Sequence, residues 1–324
     1  MRFTKPITDR PFRARAAIAA GAAALVLTVA GCLTPLTPQQ PPPSPTPLTP
    51  VPAPASPLIG VFEPDAPGSW SQVTEFTSAT GVKPAIVVYY SPWQDPFSTS
   101  YAQAAWDHGA YVLVQLQPTG VTLDSIAAGG SDAYLRSFAR AVVAFDHPVI
   151  LSFGHEMNGD WYSWGYGHAS PASFVAAWRH VVGVFRAAGA ANVTWLWAPN
   201  TIQGAASSLI QWWPGAAWVD WTGIDGYYFG SADSFDSVFG STIADIRSFS
   251  SAPLLIAETA VGTTPNRASQ IEALFAGVRA ERLGGVVWFD EAQHAGLYHQ
   301  NWRLEDDPSA LAAFRAAATH LSHG

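Results

Sequence analysis

Residues 148–198 decide the fold, because they place a helix pattern between two strand patterns. The segment opens with the apolar run PVILSF (148–153) and closes with VTWLWA (193–198). Between them, residues 171–188 carry apolar side chains at helical spacing, with Ser170 placed as an N-cap and Gly189 placed to end the helix. A strand, a helix and a second strand in this order predict a unit with parallel strands.

The same alternation of strand and helix patterns continues from residue 58 onward. Two further helices are predicted, one over 132–145 and one that begins at Thr264 and Pro265. Eight such units over about 265 residues predict an α/β fold, a (β/α)₈ TIM barrel, as a single catalytic domain at 58–324. An open doubly wound sheet is the alternative, and it loses support because no Gly-x-Gly-x-x-Gly follows the first strand. The eight predicted strands are 58–62, 85–90, 110–116, 148–153, 193–198, 219–225, 253–257 and 285–289.

The N-terminal region has the pattern of an export signal followed by a tether. Residues 1–31 combine a basic leader with a short apolar segment, and Val29, Ala30 and Gly31 precede Cys32 as in a bacterial lipobox. We therefore expect a lipoprotein signal peptide at 1–31, a lipidated Cys32, and a Pro-rich linker at 32–57. The protein would lie on the outer face of the cytoplasmic membrane, held there only by its lipid anchor.

Charge and cysteine content exclude several classes of function. The full chain has a formal charge of −8, and loss of the leader, with five basic residues and one acidic residue, leaves −12. Such an acidic chain is not expected to bind nucleic acid, whose phosphates need a basic face. Cys32 is the only cysteine, which excludes an intrachain disulfide and a cysteine-based metal cage.

Two carboxylates lie at the ends of predicted strands. Glu156 follows the fourth strand, in a loop that contains Trp161 and Trp164, and Glu258 follows the apolar run 253–257. Carboxyl ends of barrel strands meet at one mouth, so we expect the two glutamates to face each other there. A pair of carboxyl groups cleaves glycosidic bonds, and aromatic rings hold sugars. A zinc protease motif is excluded because position 159, where it needs histidine, is Gly159.

Three segments resemble glycoside hydrolase family 26. GHEMNGDWYSWG (154–165) is similar to the family's acid/base segment, IAET (256–259) to its nucleophile segment, and IDGYY (224–228) to its Asp-x-Tyr after the sixth strand. The resemblance extends over about 58–292 and implies a (β/α)₈ barrel with a retaining mechanism and no cofactor or metal. It implies a β-linked polysaccharide or oligosaccharide as substrate, and we expect the protein to act as a monomer.

The resemblance also implies roles for individual residues. Glu156 would be the acid/base and Glu258 the nucleophile. Tyr227 would donate a hydrogen bond to the nucleophile, although Tyr228 competes for that role. The residues expected to bind substrate or support the site are His155, Trp161, Trp164, Tyr227, Trp288 and Asn200. Trp288 is expected as a stacking surface for sugar, and Asp225 as a support for the sixth strand.

The sequence is compatible with several polysaccharide substrates. The resemblance favours an endo-β-1,4-mannanase, with a mixed-linkage β-1,3-1,4-glucanase or a β-1,3-xylanase as alternatives. Mannanases of the family carry a substrate-contacting histidine on an early strand, where this chain has Gln115 or Gln117. A non-catalytic sugar-binding lipoprotein and a structural scaffold are alternatives of another class. Six more tryptophans are equally consistent with the core and with sugar binding: Trp195, Trp197, Trp212, Trp213, Trp218 and Trp221.

Overall fold

The computed structural model describes residues 48–202, 208–292 and 300–322. Eight parallel strands form a closed barrel, in which each strand pairs with its neighbours in chain order and the eighth pairs with the first. The predicted (β/α)₈ barrel is therefore confirmed and the open sheet is excluded. The strands are β1 (Leu58–Phe62), β2 (Ile86–Pro92), β3 (Tyr111–Gln117), β4 (Val149–Phe153), β5 (Val193–Trp197), β6 (Trp221–Asp225), β7 (Leu254–Thr259) and β8 (Gly285–Phe289).

Helices surround the barrel and cover its apolar outer side. Every residue of β4, β5, β6, β7 and β8 is buried, as expected for parallel strands that are packed on both faces. The helices are α1 (Ser71–Thr80), α2 (Thr99–Asp107), α3 (Leu123–Ala127), α4 (Asp132–Phe145), α5 (Pro171–Ala187), α6 (Ser241–Phe249), α7 (Arg267–Ala280) and α8 (Pro308–Ser322).

Helix α5 shows how the sequence sets these boundaries. The Ser170 hydroxyl accepts from the backbone N–H of Ser173 at 3.0 Å, and Pro171 occupies the first turn. Its buried face brings Phe185 against Trp195 of β5, with ring centroids 5.2 Å apart. After the helix, Gly189 adopts a left-handed φ of 82°.

Helix α7 begins later than predicted. Thr264 and Pro265 form a turn instead, in which the Arg267 N–H donates to the Thr264 carbonyl at 3.2 Å. The reason is the buried guanidinium of Arg267, which donates to the carbonyls of Val261 and Trp302, each at 3.0 Å. These bonds fix the chain before the helix can start.

The end of the Pro-rich segment packs against the barrel, so the linker is shorter than the predicted 32–57. Val51 is buried, and its N–H donates to the Thr194 hydroxyl at 2.8 Å near the start of β5. Pro54 approaches Gly284, just before β8. The contacts lie at the amino ends of the strands, opposite the mouth that holds the predicted site. Residues 48–57 therefore form a strap, which we call the N-terminal strap.

In residues 48–202, 208–292 and 300–322, no helix is long and apolar enough to cross a membrane. Cys32 and the predicted signal peptide lie outside the described residues.

Candidate active site

The backbone holds Glu156 in an unusual conformation above the barrel mouth. Its φ is 53°, in the left-handed region that non-glycine residues rarely adopt. The Glu156 N–H donates to the carbonyl of Ala198 at 2.7 Å, and the Gly154 N–H donates to Leu116 at 2.9 Å. The loop after β4 is thus joined to the ends of β5 and β3, which fixes the direction of the Glu156 side chain.

Each carboxylate oxygen of Glu156 accepts one N–H hydrogen bond. The Asn200 amide donates to Oε1 at 2.6 Å, and the Trp161 indole donates to Oε2 at 2.7 Å. Gly159 permits this arrangement, because a Cβ at that position would lie 2.3 Å from the Trp161 ring. Trp161 is 54% exposed, so its ring remains available to solvent while its N–H stays on Glu156.

Glu258 projects from β7 and accepts two phenol hydrogen bonds. Tyr227, just after β6, donates to Oε1, and Tyr90 on β2 donates to Oε2. Both catalytic candidates are buried except for a small exposed fraction, 7% for Glu156 and 8% for Glu258. Tyr228 is buried next to Phe239 and donates no bond to Glu258 in the described residues.

One cavity at the mouth of the barrel contains both glutamates. Its volume is about 740 Å³, within the range of ligand-binding clefts. Five of the aromatic residues that line it are Trp161 and Tyr162 in the loop that contains Glu156, and Tyr227, Phe229 and Trp302 in the segments after β6 and β8. The lining residues are Glu156, Trp161, Tyr162, Asn200, Thr201, Gly226, Tyr227, Phe229, Gly230, Asp233, Val238, Glu258, Phe289 and Trp302.

Burial raises the pKa values of three carboxyl groups at this site, and repulsion adds to the effect for Glu258 and Asp225. Burial raises the pKa of Glu156, against the opposing effect of the Asn200 and Trp161 donors. Burial and the Glu156 charge raise the pKa of Glu258, and its two phenol donors lower it. Asp225, adjacent to Glu258 in the β6–β7 pairing, has its pKa raised by burial and by both glutamates. These groups therefore do not all ionise together near neutral pH.

Hydrogen-bond chemistry indicates where the remaining negative charge resides. Phenol O–H groups are stronger donors than amide or indole N–H groups, and bonds to an ionised acceptor gain most from a strong donor. Two phenols on Glu258 therefore favour the carboxylate there, and the proton then stays on Glu156. A carboxylate and a carboxylic acid in one cleft match the requirements of a nucleophile and a general acid.

His155 and Trp164 support the loop around Glu156. The Trp164 indole donates to the His155 carbonyl at 2.8 Å, and its ring stacks on Tyr162 with centroids 4.3 Å apart. His155 is buried, and burial lowers the pKa of its ring to about 3, so it is neutral near pH 7. Neither residue lines the cavity.

The expectation that Trp288 stacks against sugar is wrong. Trp288 is only 1% exposed, packs against Phe314 of α8, and donates its indole N–H to Asp290 and to the Trp302 carbonyl, each at 3.1 Å. It therefore faces the helices, and it is Trp302 that lines the cavity. The six ambiguous tryptophans belong to the core or pack against it: Trp195, Trp197, Trp212, Trp213, Trp218 and Trp221.

Gln115 is the buried member of the two candidate glutamines on β3. It pairs in register with Tyr90 of β2, and neither atom of its amide group has a hydrogen-bond partner among the described residues. Gln117 lies at the end of the strand and is partly exposed. In the described part of the chain, no group of three His, Cys, Asp or Glu side chains is arranged to hold a metal ion.

Sequence reasoning missed Tyr90, Tyr162, Phe229 and Trp302. The sequence did indicate the position of Tyr90, because this residue ends the predicted strand 85–90 and the carboxyl ends of barrel strands lie at the mouth. Tyr162 lies inside the motif that contains Trp161 and Trp164, and Phe229 lies two residues after Tyr227. Trp302 had no signal, because it reaches the cavity from an irregular segment after β8.

Comparison with known proteins agrees with this geometry. The family model described as glycosyl hydrolase family 26 matches residues 121–304. Endoglucanase H of Acetivibrio thermocellus is 33% identical over 266 residues, which cover 77% of this chain and 29% of that protein. Beta-1,3-xylanase TXYA of Vibrio sp is 30% identical over 174 residues, which cover 50% of this chain and 36% of that protein. The chain thus spans only about a third of these relatives.

Solved structures share the fold. An endo-beta-1,4-mannanase from Cellulomonas fimi superposes with a TM-score of 0.64 at 20% identity, and the match covers 81% of this chain and 70% of that one. The family model covers more than half of the chain and includes Glu156, Glu258 and Tyr227. The chain belongs to glycosyl hydrolase family 26.

Proposed function

We propose that the protein is a retaining glycoside hydrolase that cleaves internal bonds of β-linked polysaccharides. The observation that carries this proposal is the shared cavity, where Glu258 accepts two phenol bonds and Glu156 accepts two N–H bonds. Aromatic residues from the segments after β4, β6 and β8 line the cavity and can hold more than one sugar. The endoglucanase relative supports endo rather than exo cleavage.

The proposed reaction has two displacements. In the first, an oxygen of ionised Glu258 attacks the anomeric carbon, the glycosidic bond breaks, and its electron pair goes to the leaving oxygen, which takes the Glu156 proton. In the second, Glu156 removes a proton from water while the water oxygen attacks the same carbon. The ester bond to Glu258 then breaks, and its electron pair restores the carboxylate. Each Glu regains its starting protonation state only when the second displacement is complete.

The family resemblance favours β-1,4-mannan as substrate, and the name of one relative favours a β-glucan, for which the resemblance offers a mixed-linkage β-1,3-1,4-glucan. Among the relatives described above, the one that spans most of this chain is named an endoglucanase. Gln115 is fully buried, and neither Gln115 nor Gln117 lines the cavity, so the absence of the mannanase histidine from β3 carries no preference between substrates. We therefore place mixed-linkage β-glucan first and β-1,4-mannan second, with β-1,3-xylan third.

A substrate panel with product analysis tests the function. Purified protein is incubated with mixed-linkage β-glucan, β-1,4-mannan, β-1,3-xylan and cellulose, and the products are followed by chromatography and by the anomeric NMR signals. We expect oligosaccharides of several lengths, a β-configured initial product, and no activity in Glu258→Ala. Release of single sugars alone would contradict endo cleavage. Absence of hydrolysis on every polysaccharide would contradict the function and favour the non-catalytic sugar-binding alternative.

The proposal includes attachment to the outer face of the cytoplasmic membrane through Cys32. The lipobox residues Val29, Ala30 and Gly31 support cleavage before this cysteine, and the following Pro-rich residues supply reach. Expression with a labelled fatty acid tests it. Label should enter the native protein and be absent from Cys32→Ser, whereas equal labelling of both would contradict the assignment.

A further inference from the structure

The carboxylate of Glu258 is held from two opposite sides of the barrel mouth. Tyr227 reaches it from β6, the strand next to β7, whereas Tyr90 reaches it from β2. The two phenols contact different oxygens of the same carboxylate. Glu258 therefore has both of its oxygens bound and cannot rotate about its last side-chain bond without breaking both hydrogen bonds.

The Tyr90 ring is itself fixed by aromatic neighbours. It meets the Phe62 ring edge to face with centroids 5.0 Å apart, and Phe62 stacks on Phe289 of the cavity wall at 4.6 Å. The centroid of the Tyr90 ring also lies 5.4 Å from that of His155, the residue before Glu156. Tyr90 is thus packed among side chains that support both glutamates.

We propose that Tyr90 is a second positioning residue for the nucleophile, which together with Tyr227 holds the Glu258 carboxylate and stabilises its release from the glycosyl ester. This inference rests on the proposed function and deepens it. When the ester forms, one oxygen of Glu258 bonds to the sugar and becomes a weak acceptor. When the ester is hydrolysed, the negative charge returns to both oxygens, and both phenols can then donate to it again.

The second displacement should therefore depend on Tyr90 more than the first. Loss of one donor makes the free carboxylate less stable, which leaves its attack on the sugar favourable but makes it a poorer leaving group. On an aryl glycoside with a good leaving group, Tyr90→Phe should lower kcat about tenfold and lower KM with it, so that kcat/KM at the optimum pH changes little. A burst of aryl alcohol should precede the slow steady state.

Protonation of Glu258 gives a second readout. The charged and titratable groups that act on it are Glu156, Asp225, Glu291, Tyr227 and Tyr90. The Tyr90 phenol stabilises the ionised carboxylate, so loss of its hydrogen bond should raise the pKa of Glu258 by about one to two units. The acidic limb of kcat/KM should move to higher pH by that amount.

Tyr89→Phe is the matched control. Tyr89 precedes Tyr90 on β2, is buried, and accepts a hydrogen bond from the Ser98 N–H at 3.2 Å, away from Glu258. Both variants lose one phenol oxygen from the same strand. General loosening of β2 would affect both variants alike, whereas positioning of the nucleophile predicts the burst and the shifted limb in Tyr90→Phe alone.

An infrared titration measures the ionisation of Glu258 directly and needs no substrate. The carboxylate band that disappears in Glu258→Gln reports the ionisation of Glu258, and it is followed against pH in the wild type, Tyr90→Phe and Tyr89→Phe. An upward shift of the midpoint only in Tyr90→Phe supports the inference, and an unmoved midpoint overturns it. Failure of the wild type to hydrolyse any substrate would contradict the proposed function, and the infrared result would still decide the role of Tyr90.

Discussion

The backbone N–H of Glu156 donates to the carbonyl of Ala198 at 2.7 Å, and this bond joins a left-handed residue to the end of the neighbouring strand. Two residues later, Asn200 donates its side-chain amide to Glu156 Oε1. One short segment after β5 therefore fixes both the main chain and the carboxyl group of the proposed acid/base. The position of Glu156 therefore depends on this segment as well as on its own loop.

Azide should restore turnover to Glu156→Ala but should act differently on Glu258→Ala. On an aryl glycoside with a good leaving group, Glu156→Ala still forms the ester and then stalls, because no base activates water. Azide needs no base, so it should raise the rate at least tenfold and give a β-glycosyl azide. The product is identified by NMR.

Glu258→Ala serves as the comparison, since it lacks the nucleophile itself. Azide can take its place only by direct attack, which gives the α-glycosyl azide. A β product from Glu258→Ala or an α product from Glu156→Ala would exchange the two assigned roles. Circular dichroism of each variant confirms that the fold persists.

Glu156→Gln should remove the basic limb of the pH profile. The active form needs Glu258 ionised and Glu156 protonated, so activity rises through the pKa of Glu258 and falls through that of Glu156. Burial raises the latter pKa, which moves the basic limb upward from the ordinary range of a carboxyl group. With an activated aryl glycoside, the ester-forming step of Glu156→Gln should lose this limb, measured as the burst rate between pH 4 and 9. A retained basic limb would assign it to another group.

Substitution of two tryptophans should separate substrate contact from core packing. Trp161 is exposed in the cavity, so Trp161→Ala should raise KM for polysaccharide about three- to tenfold. Trp288 is buried against α8, so Trp288→Phe should leave KM within about threefold while lowering the unfolding free energy by about 1–3 kcal/mol. Steady-state kinetics and urea denaturation measure the two effects. The opposite pattern would restore Trp288 as a sugar contact.

The strands were predictable because each is a short apolar run bounded by turn or loop residues. Runs 58–62 and 285–289 match β1 and β8, and the other six differ from the observed strands by at most two residues at either end. What could not be predicted is which side of a strand each residue faces. In β8 every residue is buried, so no alternation of polar and apolar residues distinguishes the inner from the outer face, and Trp288 was assigned to the wrong one.

The site was only partly predictable for a related reason. Glu156 and Glu258 stood out because polar residues end apolar runs, and Asn200 and Tyr227 follow neighbouring strands. The contact of Tyr90 with Glu258 depends on strand tilt and side-chain direction across the barrel, which sequence spacing does not encode. Val51 was missed because its Pro-rich context indicates an unfolded tether, yet Thr194 supplies a partner for its backbone 143 residues away.

Thr194→Val should release the N-terminal strap. The Thr194 hydroxyl accepts from the Val51 N–H at 2.8 Å and donates to the Val51 carbonyl at 3.3 Å. Valine has a similar shape but no polar atom, so both buried backbone groups would lose their partner, at a cost of about 1–3 kcal/mol. Urea denaturation measures this loss. In a chain that starts at residue 56, the same substitution should cost much less, and an equal cost in both chains would place the effect outside the strap.

Glu63→Gln should stabilise the protein at pH 8 and not at pH 4. Glu63 follows β1 and is 3% exposed. Burial and the charges of Asp290 and Glu305 raise its pKa to about 9. The folded state therefore keeps a proton that the unfolded chain releases above about pH 4.5, so stability falls as pH rises from there to about 9. Glutamine carries no proton to lose, and the variant should gain up to about 5 kcal/mol at pH 8. Urea denaturation at pH 4 and pH 8 measures the unfolding free energy of the wild type and the variant. Glu272→Gln, on the exposed side of α7, is the control and should leave both free energies unchanged. A constant offset between wild type and Glu63→Gln across this range would show that Glu63 does not retain its proton in the folded state.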